Sequence, residues 1–391
     1  MSARHTLLEI FDAALRAVNG RALVARALRS FRRRPCALIA VGKAASAMTL
    51  GALDELRSHV ASALVITKDG HVDPELRCDS MVTILETAHP VPDARSLAAG
   101  ATLIELLRAL PPDVYPIFLV SGGSSSLVES LRPGVSLADL RALNQRGLSA
   151  GWDIVRLNRE RGALSMLKGG GVGQLLGRAA LALFLSDVPD DDPRVIGSGL
   201  LGPGAEPDCI ERAIVANLPL GMRAAIEAGA ARGLNLELRA RRFDGDVAAV
   251  AAEFVAALRE TDANGLVWGG ESAVTLPARH GRGGRNTHLA LAAARLLRAG
   301  EPLTILAAGT DGTDGPTDDA GAIVDAGTVE RAELAGCDVA RAFREFDSGL
   351  ALEMSEDLVH TGPTGTNVGD LLIGIKGSAT SLRGREAARV L

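Results

Sequence analysis

The chain has 391 residues, 47% hydrophobic and 23% charged, with 42 Lys and Arg against 47 Asp and Glu for a net charge of −5. That balance excludes intrinsic disorder, which needs low hydrophobicity and high net charge. It also argues against a general nucleic-acid binder, which needs a basic face. Aromatics at 3% leave few rings for base stacking and assign the core to Ala, Val, Leu and Ile.

At roughly 100–200 residues per domain, two domains are expected. The chain opens with Leu7, Leu8, Phe11 and Leu15 interleaved with Glu9 and Asp12. This is the pattern of an amphipathic helix; the apolar region of a secretory signal carries no charge. No run approaches the ~20 apolar residues of a membrane span, so a cytoplasmic protein is expected. Arg29, Arg32, Arg33 and Arg34 read as a solvated helix end. Cys36, Cys78, Cys209 and Cys337 lie too far apart for a disulfide framework or a zinc site, and read as small buried hydrophobes.

Short apolar runs predict strands over residues 37–41, 63–67, 83–86, 116–120, 179–186, 235–240, 265–268, 302–307 and 371–375. Amphipathic stretches between them predict helices over 45–57, 94–109, 137–150, 210–232, 245–260 and 286–298. Such alternation argues for an α/β fold of two domains, each with a mainly parallel sheet flanked by helices. The boundary is placed near Gly233, giving domains of residues 1–233 and 234–391.

In open α/β sheets, ligands bind beyond the carboxyl ends of the strands, and here four predicted strands end in Gly plus a polar group and a fifth in a run of Asp. The first runs into Gly42-Lys43, where a tight turn, a helix start and a compact cation suit phosphate or carboxylate. Ala44 stands where a Walker A loop needs Ser or Thr, so this is not such a loop. The fourth runs into Ser121-Gly122-Gly123-Ser124-Ser125, whose amides and hydroxyls can cradle phosphate oxygens. The fifth runs into Asp187, with Asp190, Asp191 and Asp192 behind it, a set that suits Mg²⁺.

Later in the chain come Gly269-Gly270-Glu271 and the loop holding Asp311 and Asp314, read either as a metal- or hydroxyl-binding loop or as a Gly/Asp turn. Gly281-Arg282-Gly283-Gly284-Arg285-Asn286 starts like a dinucleotide fingerprint, but Asn286 replaces the third Gly and no strand leads in. Arg285 at a helix start remains a phosphate-binding candidate. The G-x-S-x-G match at Gly147-Leu148-Ser149-Ala150-Gly151 lacks a preceding strand and reads as chance. His89, in His89-Pro90-Val91-Pro92, reads first as a turn residue. Anion loops, a Lys, an Arg and separated Asp groups together suit phosphoryl transfer, which needs positioning and charge neutralisation more than covalent chemistry.

These residues carry a resemblance. The sequence resembles the glycerate 2-kinase family (class II glycerate kinases), whose C-terminal part is the MOFRL domain and some of whose members bear the name hydroxypyruvate reductase. The matching motifs are Gly42-Lys43-Ala44-Ala45, His89-Pro90-Val91-Pro92-Asp93, Ser121-Gly122-Gly123-Ser124-Ser125, Asn158 with Arg161, Lys168-Gly169-Gly170, Ser186-Asp187-Val188-Pro189, Gly269-Gly270-Glu271, Gly283-Gly284-Arg285-Asn286, the run from Gly309 to Thr317, and the run from Thr361 through Thr364 to Asn367.

The resemblance implies a two-domain kinase with its active site in the interdomain cleft. Such an enzyme uses ATP and Mg²⁺ to phosphorylate the 2-hydroxyl of D-glycerate. It implies that Lys43, Asp187 and Arg285 are the catalytic residues. Gly42, Ser121, Gly122, Gly123, Ser124, Ser125, Asn158, Arg161, Lys168, Glu271, Asn286, Asp311, Asp314, Thr364 and Asn367 would bind substrate and nucleotide, with Asp187 and Asp311 as metal ligands. The expected partners are therefore ATP and a small 2-hydroxy acid, with no nucleic acid or membrane; a homodimer is left open.

The chain departs from the family's usual pattern at Arg156, at Gly162-Ala163 in place of Lys-His, at Asp190, at Leu200 and at Thr287-His288. These departures leave another small 2-hydroxy acid open as acceptor. An NAD(P)H-dependent hydroxypyruvate reductase and a non-catalytic binding protein are the alternatives from other classes. The missing dinucleotide fingerprint counts against the first, and the presence of Lys43, Asp187 and Arg285 against the second.

Overall fold

The structure, a computed structural model, describes residues 2–149, 154–204, 208–277 and 279–377. They form two compact units. The parallel-sheet unit holds residues 19–217 and 365–368, and the mixed-sheet unit holds residues 2–18, 218–364 and 369–377. The division runs between Asn217 and Leu218 and returns at Gly365, so it does not follow a single cut near Gly233. The reason is packing: the N-terminal helix Ala3–Ala17 buries Leu7, Ile10, Phe11 and Leu15 in one core with Leu218, Met222 and Ile373.

The parallel-sheet unit contains β1 (Cys36–Val41), β2 (Val60–Lys68), β3 (Val82–Thr87), β4 (Tyr115–Val120), β5 (Ala180–Ser186) and β6 (Ile210–Asn217), in the order β3-β2-β1-β4-β5-β6. Every neighbouring pair is parallel. β1 and β5 are buried at every position, which is why they read as unbroken apolar runs. The strand order reverses between β1 and β4, the switch point at which doubly wound sheets open a crevice.

The mixed-sheet unit contains β7 (Leu236–Phe243), β8 (Gly265–Gly270), β9 (Leu303–Gly309), β10 (Gly321–Asp325), β11 (Leu358–Val359) and β12 (Asp370–Lys376), ordered β11-β10-β9-β12-β8-β7. β7, β8, β9 and β11 point the same way, so most strands share one direction. β12 and β10 run against them, however, and only β7 and β8 are parallel neighbours. The first sheet is thus parallel throughout, and in the second four of the six strands share one direction, with β12 and β10 inserted antiparallel. Trp268, fully buried, stacks on Phe254 at 6.4 Å and meets Phe243 edge-on at 5.4 Å, an aromatic knot in a core otherwise of Ala, Val, Leu and Ile.

The helix expected over 210–232 is two elements, β6 and the helix Leu218–Ala230. Residues 210–217 alternate in exposure as an edge strand does, and Pro219 sits in the first turn of the helix, where its missing N–H is harmless. Cys36 and Cys337 are buried as expected, whereas Cys78 and Cys209 are exposed. The last predicted residue of helix 137–150, and with it the end of the G-x-S-x-G match, lies outside the described residues. Among those described, no helix is long and apolar enough to cross a membrane.

Candidate active site

In the parallel-sheet unit, the loops after β1, β4 and β5 meet at the switch point. Gly42 has φ +133°, and a Cβ there would lie 2.5 Å from the carbonyl oxygen of Ser121, so only Gly fits. The Lys43 N–H donates to the Gly122 carbonyl at 3.0 Å, and the Ala44 N–H donates to Ser121 Oγ at 3.0 Å. The two loops are thus tied by their own backbones.

A Cβ on Gly123 (φ +85°) would lie 3.1 Å from Lys43 Cγ and 3.3 Å from His89 Nε2. A Cβ on Gly122 would lie 1.8 Å from Asp187 Oδ2 and 2.1 Å from Asn367 Nδ2. Asn367 in turn donates to Asp187 Oδ2 at 3.2 Å. The Gly122-Gly123 pair therefore lets a cation, a carboxylate, an amide and an imidazole approach one backbone. The sequence alone reads His89 first as a turn residue; its nearness to Lys43 is non-local, and no spacing in the chain signals it. Ser124 Oγ is buried without a hydrogen-bond partner, as a donor kept for a ligand oxygen would be.

Other candidates hold the loop from behind. Ser125 Oγ meets Ser198 Oγ at 2.8 Å, Ser198 reaches Asn158 Oδ1 at 2.9 Å, and Asn158 donates to the Val195 carbonyl at 3.3 Å. Arg161 Nε donates to Asn144 Oδ1 at 2.7 Å. Lys168 is 4% exposed and its ammonium pairs with Glu129, 0% exposed, which also accepts from Ser165. Burial pushes the Lys168 pKa down and Glu129 opposes it. The resemblance implies a ligand contact for Lys168; the structure places its charge in the core. Asp191 accepts from Asn217, and Asp192 pairs with Arg194.

In the mixed-sheet unit, the helix Arg285–Leu296 begins after Gly283 and Gly284. Asp314 accepts from the N–H groups of Asn286 at 2.9 Å and Thr287 at 2.7 Å. The anion at this helix start is therefore the protein's own carboxylate, acting as a cap from a distant loop. A Cβ on Gly284 would lie 2.4 Å from Asp314, so the cap needs that Gly. Asp311 accepts from the Thr313 N–H at 3.0 Å in a local turn, and Thr364 Oγ1 donates to the Thr310 carbonyl.

Arg285 pairs with Glu271 on one side and with Asp370 at 3.4 Å on the other. Burial works against its charge, but Asp370 and Glu271 outweigh it and its pKa is pushed up. Asp370, absent from the sequence reading, is buried, and burial raises its carboxyl to about 7 against the pull of Arg285. Its folded pKa thus lies above the ordinary carboxylate value. Between about pH 4 and about pH 7 the native state keeps a proton that the unfolded chain has released, so stability falls as pH rises, by at most about 1.4 kcal/mol per pH unit. Asp370→Asn removes that slope. Melting temperatures taken across this window should show the variant gaining on the wild type as pH rises; a constant difference would refute the assignment.

Among the described residues, no group of three or more His, Cys, Asp or Glu side chains could hold a metal ion. Asp311 accepts from its own turn, and Asp187 lies against the Gly122-Gly123 loop, accepting from Asn367.

Fold and site together define a two-unit α/β chain whose doubly wound sheet gathers Lys43, His89, Asp187 and Asn367 around the Gly122-Gly123 loop at its switch point. Residues 6–228 match a domain of unknown function, DUF4147, and residues 264–370 match the MOFRL family. The chain is 34% identical to D-glycerate 2-kinase of Thermotoga maritima over 86% of its own length and 90% of that protein's. It is also 34% identical to a protein of Agrobacterium vitis provisionally named hydroxypyruvate reductase, over 86% of this chain and 98% of that one. The crystal structure of a Thermotoga maritima glycerate kinase matches 96% of this chain and 99% of its own with a TM-score of 0.82 at 32% identity. The chain belongs to the glycerate 2-kinase family.

Proposed function

We propose that this chain transfers the γ-phosphoryl group of ATP to the 2-hydroxyl of D-glycerate. The observation that carries the reading is the meeting of Lys43 and Asp187 on the Gly122-Gly123 loop, in a chain similar over most of its length to a D-glycerate 2-kinase. Lys43 neutralises charge on the transferring phosphoryl group, and the loop amides with Ser124 Oγ bind its oxygens. Asp187 orients the acceptor hydroxyl and takes its proton. Arg285 binds an anionic group of substrate or nucleotide.

Asp187 is also the residue that fits Mg²⁺ brought in with ATP. Mg²⁺ asks for only one or two carboxylates beside phosphate oxygens, and it would spread the phosphate charge. Asn158, Arg161 and Lys168 serve by holding the loops, and Asp314 by holding the helix of Arg285. The cytoplasm is the proposed location, and small molecules the only proposed partners.

The test is ADP release from Mg-ATP with and without D-glycerate, with the product identified. Glycerate-dependent ADP and 2-phosphoglycerate are expected. A folded, ATP-binding sample with no stimulation overturns D-glycerate as acceptor, and quenching of NADH fluorescence on titration would favour the reductase instead.

A further inference from the structure

We propose that Arg285 works between two unequal carboxylates: Asp370 is its fixed positioning residue, and Glu271 is an exchangeable partner that the anionic group of a ligand displaces. The proposal rests on the kinase reading for the identity of that ligand, Mg-ATP or D-glycerate.

The asymmetry is built into the sheet. Asp370 is the first residue of β12 and pairs with Gly270 of β8 on one side and Gly309 of β9 on the other. It cannot shift without breaking two strand pairings. Glu271 follows the last residue of β8; its N–H is tied to the Phe243 carbonyl of β7 at 3.0 Å, but its carboxylate hangs at the sheet's end. Its side chain is 50% exposed, against 6% for Asp370. The strand neighbours of Asp370 are both Gly, and a Cβ on Gly309 would lie 3.3 Å from Asp370 Oδ1. The backbone is thereby kept bare around the buried carboxyl group.

Hydrogen bonding is incomplete on the buried side. Asp370 Oδ2 lies 3.4 Å from Arg285 Nη2 and makes no hydrogen bond, and the buried Oδ1 of Asn286 also lacks a donor. Buried acceptors in that state are costly. Glu271 meanwhile holds the guanidinium at the surface. An exposed ion pair is weak, and a phosphate or carboxylate delivered by a bound ligand replaces it at little loss. Once Glu271 leaves, the guanidinium is free to close on Asp370. The positively charged fork is then held from behind and faces the ligand.

Opposite effects follow from removing the two carboxylates. Without Glu271 the ligand meets no competitor. Without Asp370, Glu271 is the one ion-pair partner of Arg285 left among the described residues and competes more strongly. Calorimetric titration of the full chain with Mg-ATP and with D-glycerate reads both. For at least one of these ligands, Glu271→Gln is expected to tighten Kd by about two- to fivefold, the worth of an exposed ion pair. Asp370→Asn is expected to weaken it by roughly tenfold or more, with Asp370→Glu in between. The double variant recovers part of the loss.

Shifts in the same direction from both single variants, or no shift with either ligand, overturn the proposal. If Asp370→Asn does not fold, Glu271→Gln and Asp370→Glu decide: a weaker or unchanged Kd in Glu271→Gln overturns it. Opposed shifts together with no glycerate-dependent ADP release in the wild type would sink the kinase reading and leave the two-carboxylate arrangement standing.

Discussion

Lys43→Met is expected to lower kcat by at least about 10³-fold with little change in melting temperature. Removing one preorganised donor from a site of developing charge costs about 10²–10³ in rate, and a cationic finger on a transferring phosphoryl group supplies about 10³–10⁵. Lys43 brings a full positive charge to the Gly122-Gly123 loop. The fold should survive because backbone hydrogen bonds that the substitution leaves in place tie the two loops: the Lys43 N–H to Gly122 and the Ala44 N–H to Ser121. Lys43→Arg keeps the charge but replaces a compact ammonium with a planar fork, and only partial activity is expected from it. Steady-state kinetics and a thermal melt of the same samples check this. A kcat within tenfold of wild type would remove Lys43 from the reaction.

Lys168→Met should be the most destabilising single change in the parallel-sheet unit. It leaves the Glu129 carboxylate fully buried with Ser165, the Ser130 N–H and the more distant charge of Arg161, but without its paired ammonium. Breaking a buried ion pair from one side costs about 3–5 kcal/mol, whereas replacing both partners with apolar groups of similar volume is often neutral or better. Lys168→Met/Glu129→Leu is therefore expected to regain most of the lost stability in chemical denaturation. It should also keep glycerate-dependent turnover within about tenfold of wild type, since the ammonium faces Glu129 and not the crevice. A stable double variant with no nucleotide binding would return Lys168 to the ligand site.

Both expectations turn on where a charge points, and here the sequence and the structure part company. Gly42-Lys43, Ser121 to Ser125 and Asp187 stand out in the chain because each follows an apolar strand directly, and a strand end that turns through Gly is a local event. The same local logic found Arg285 at a helix start. It could not find the occupant of that helix start, because Asp314 arrives from a loop 28 residues further on. Nor could it tell Lys43 from Lys168. Both sit beside Gly, but the partner of Lys168 lies 39 residues back in the chain.

Asp370 was missed for a related reason. It reads as the polar residue before a strand, and only the insertion of β12 between β8 and β9 carries it under Arg285. The helix expected over 210–232 failed at Asn217 because its first eight residues are short and moderately apolar, and either period fits such a stretch until a neighbouring strand claims it.

The sequence by itself determined the α/β class, the strand-end loops after β1, β4 and β5, and the family. Each of these is written in short-range patterns of apolar runs, Gly and charge. Only the tertiary structure decided the antiparallel insertion of β12 and β10, the discontinuous division of the chain into units, and which charged groups are held inward. Pairing, burial and charge neutralisation join residues far apart in the chain, and no local pattern encodes which partner each will meet.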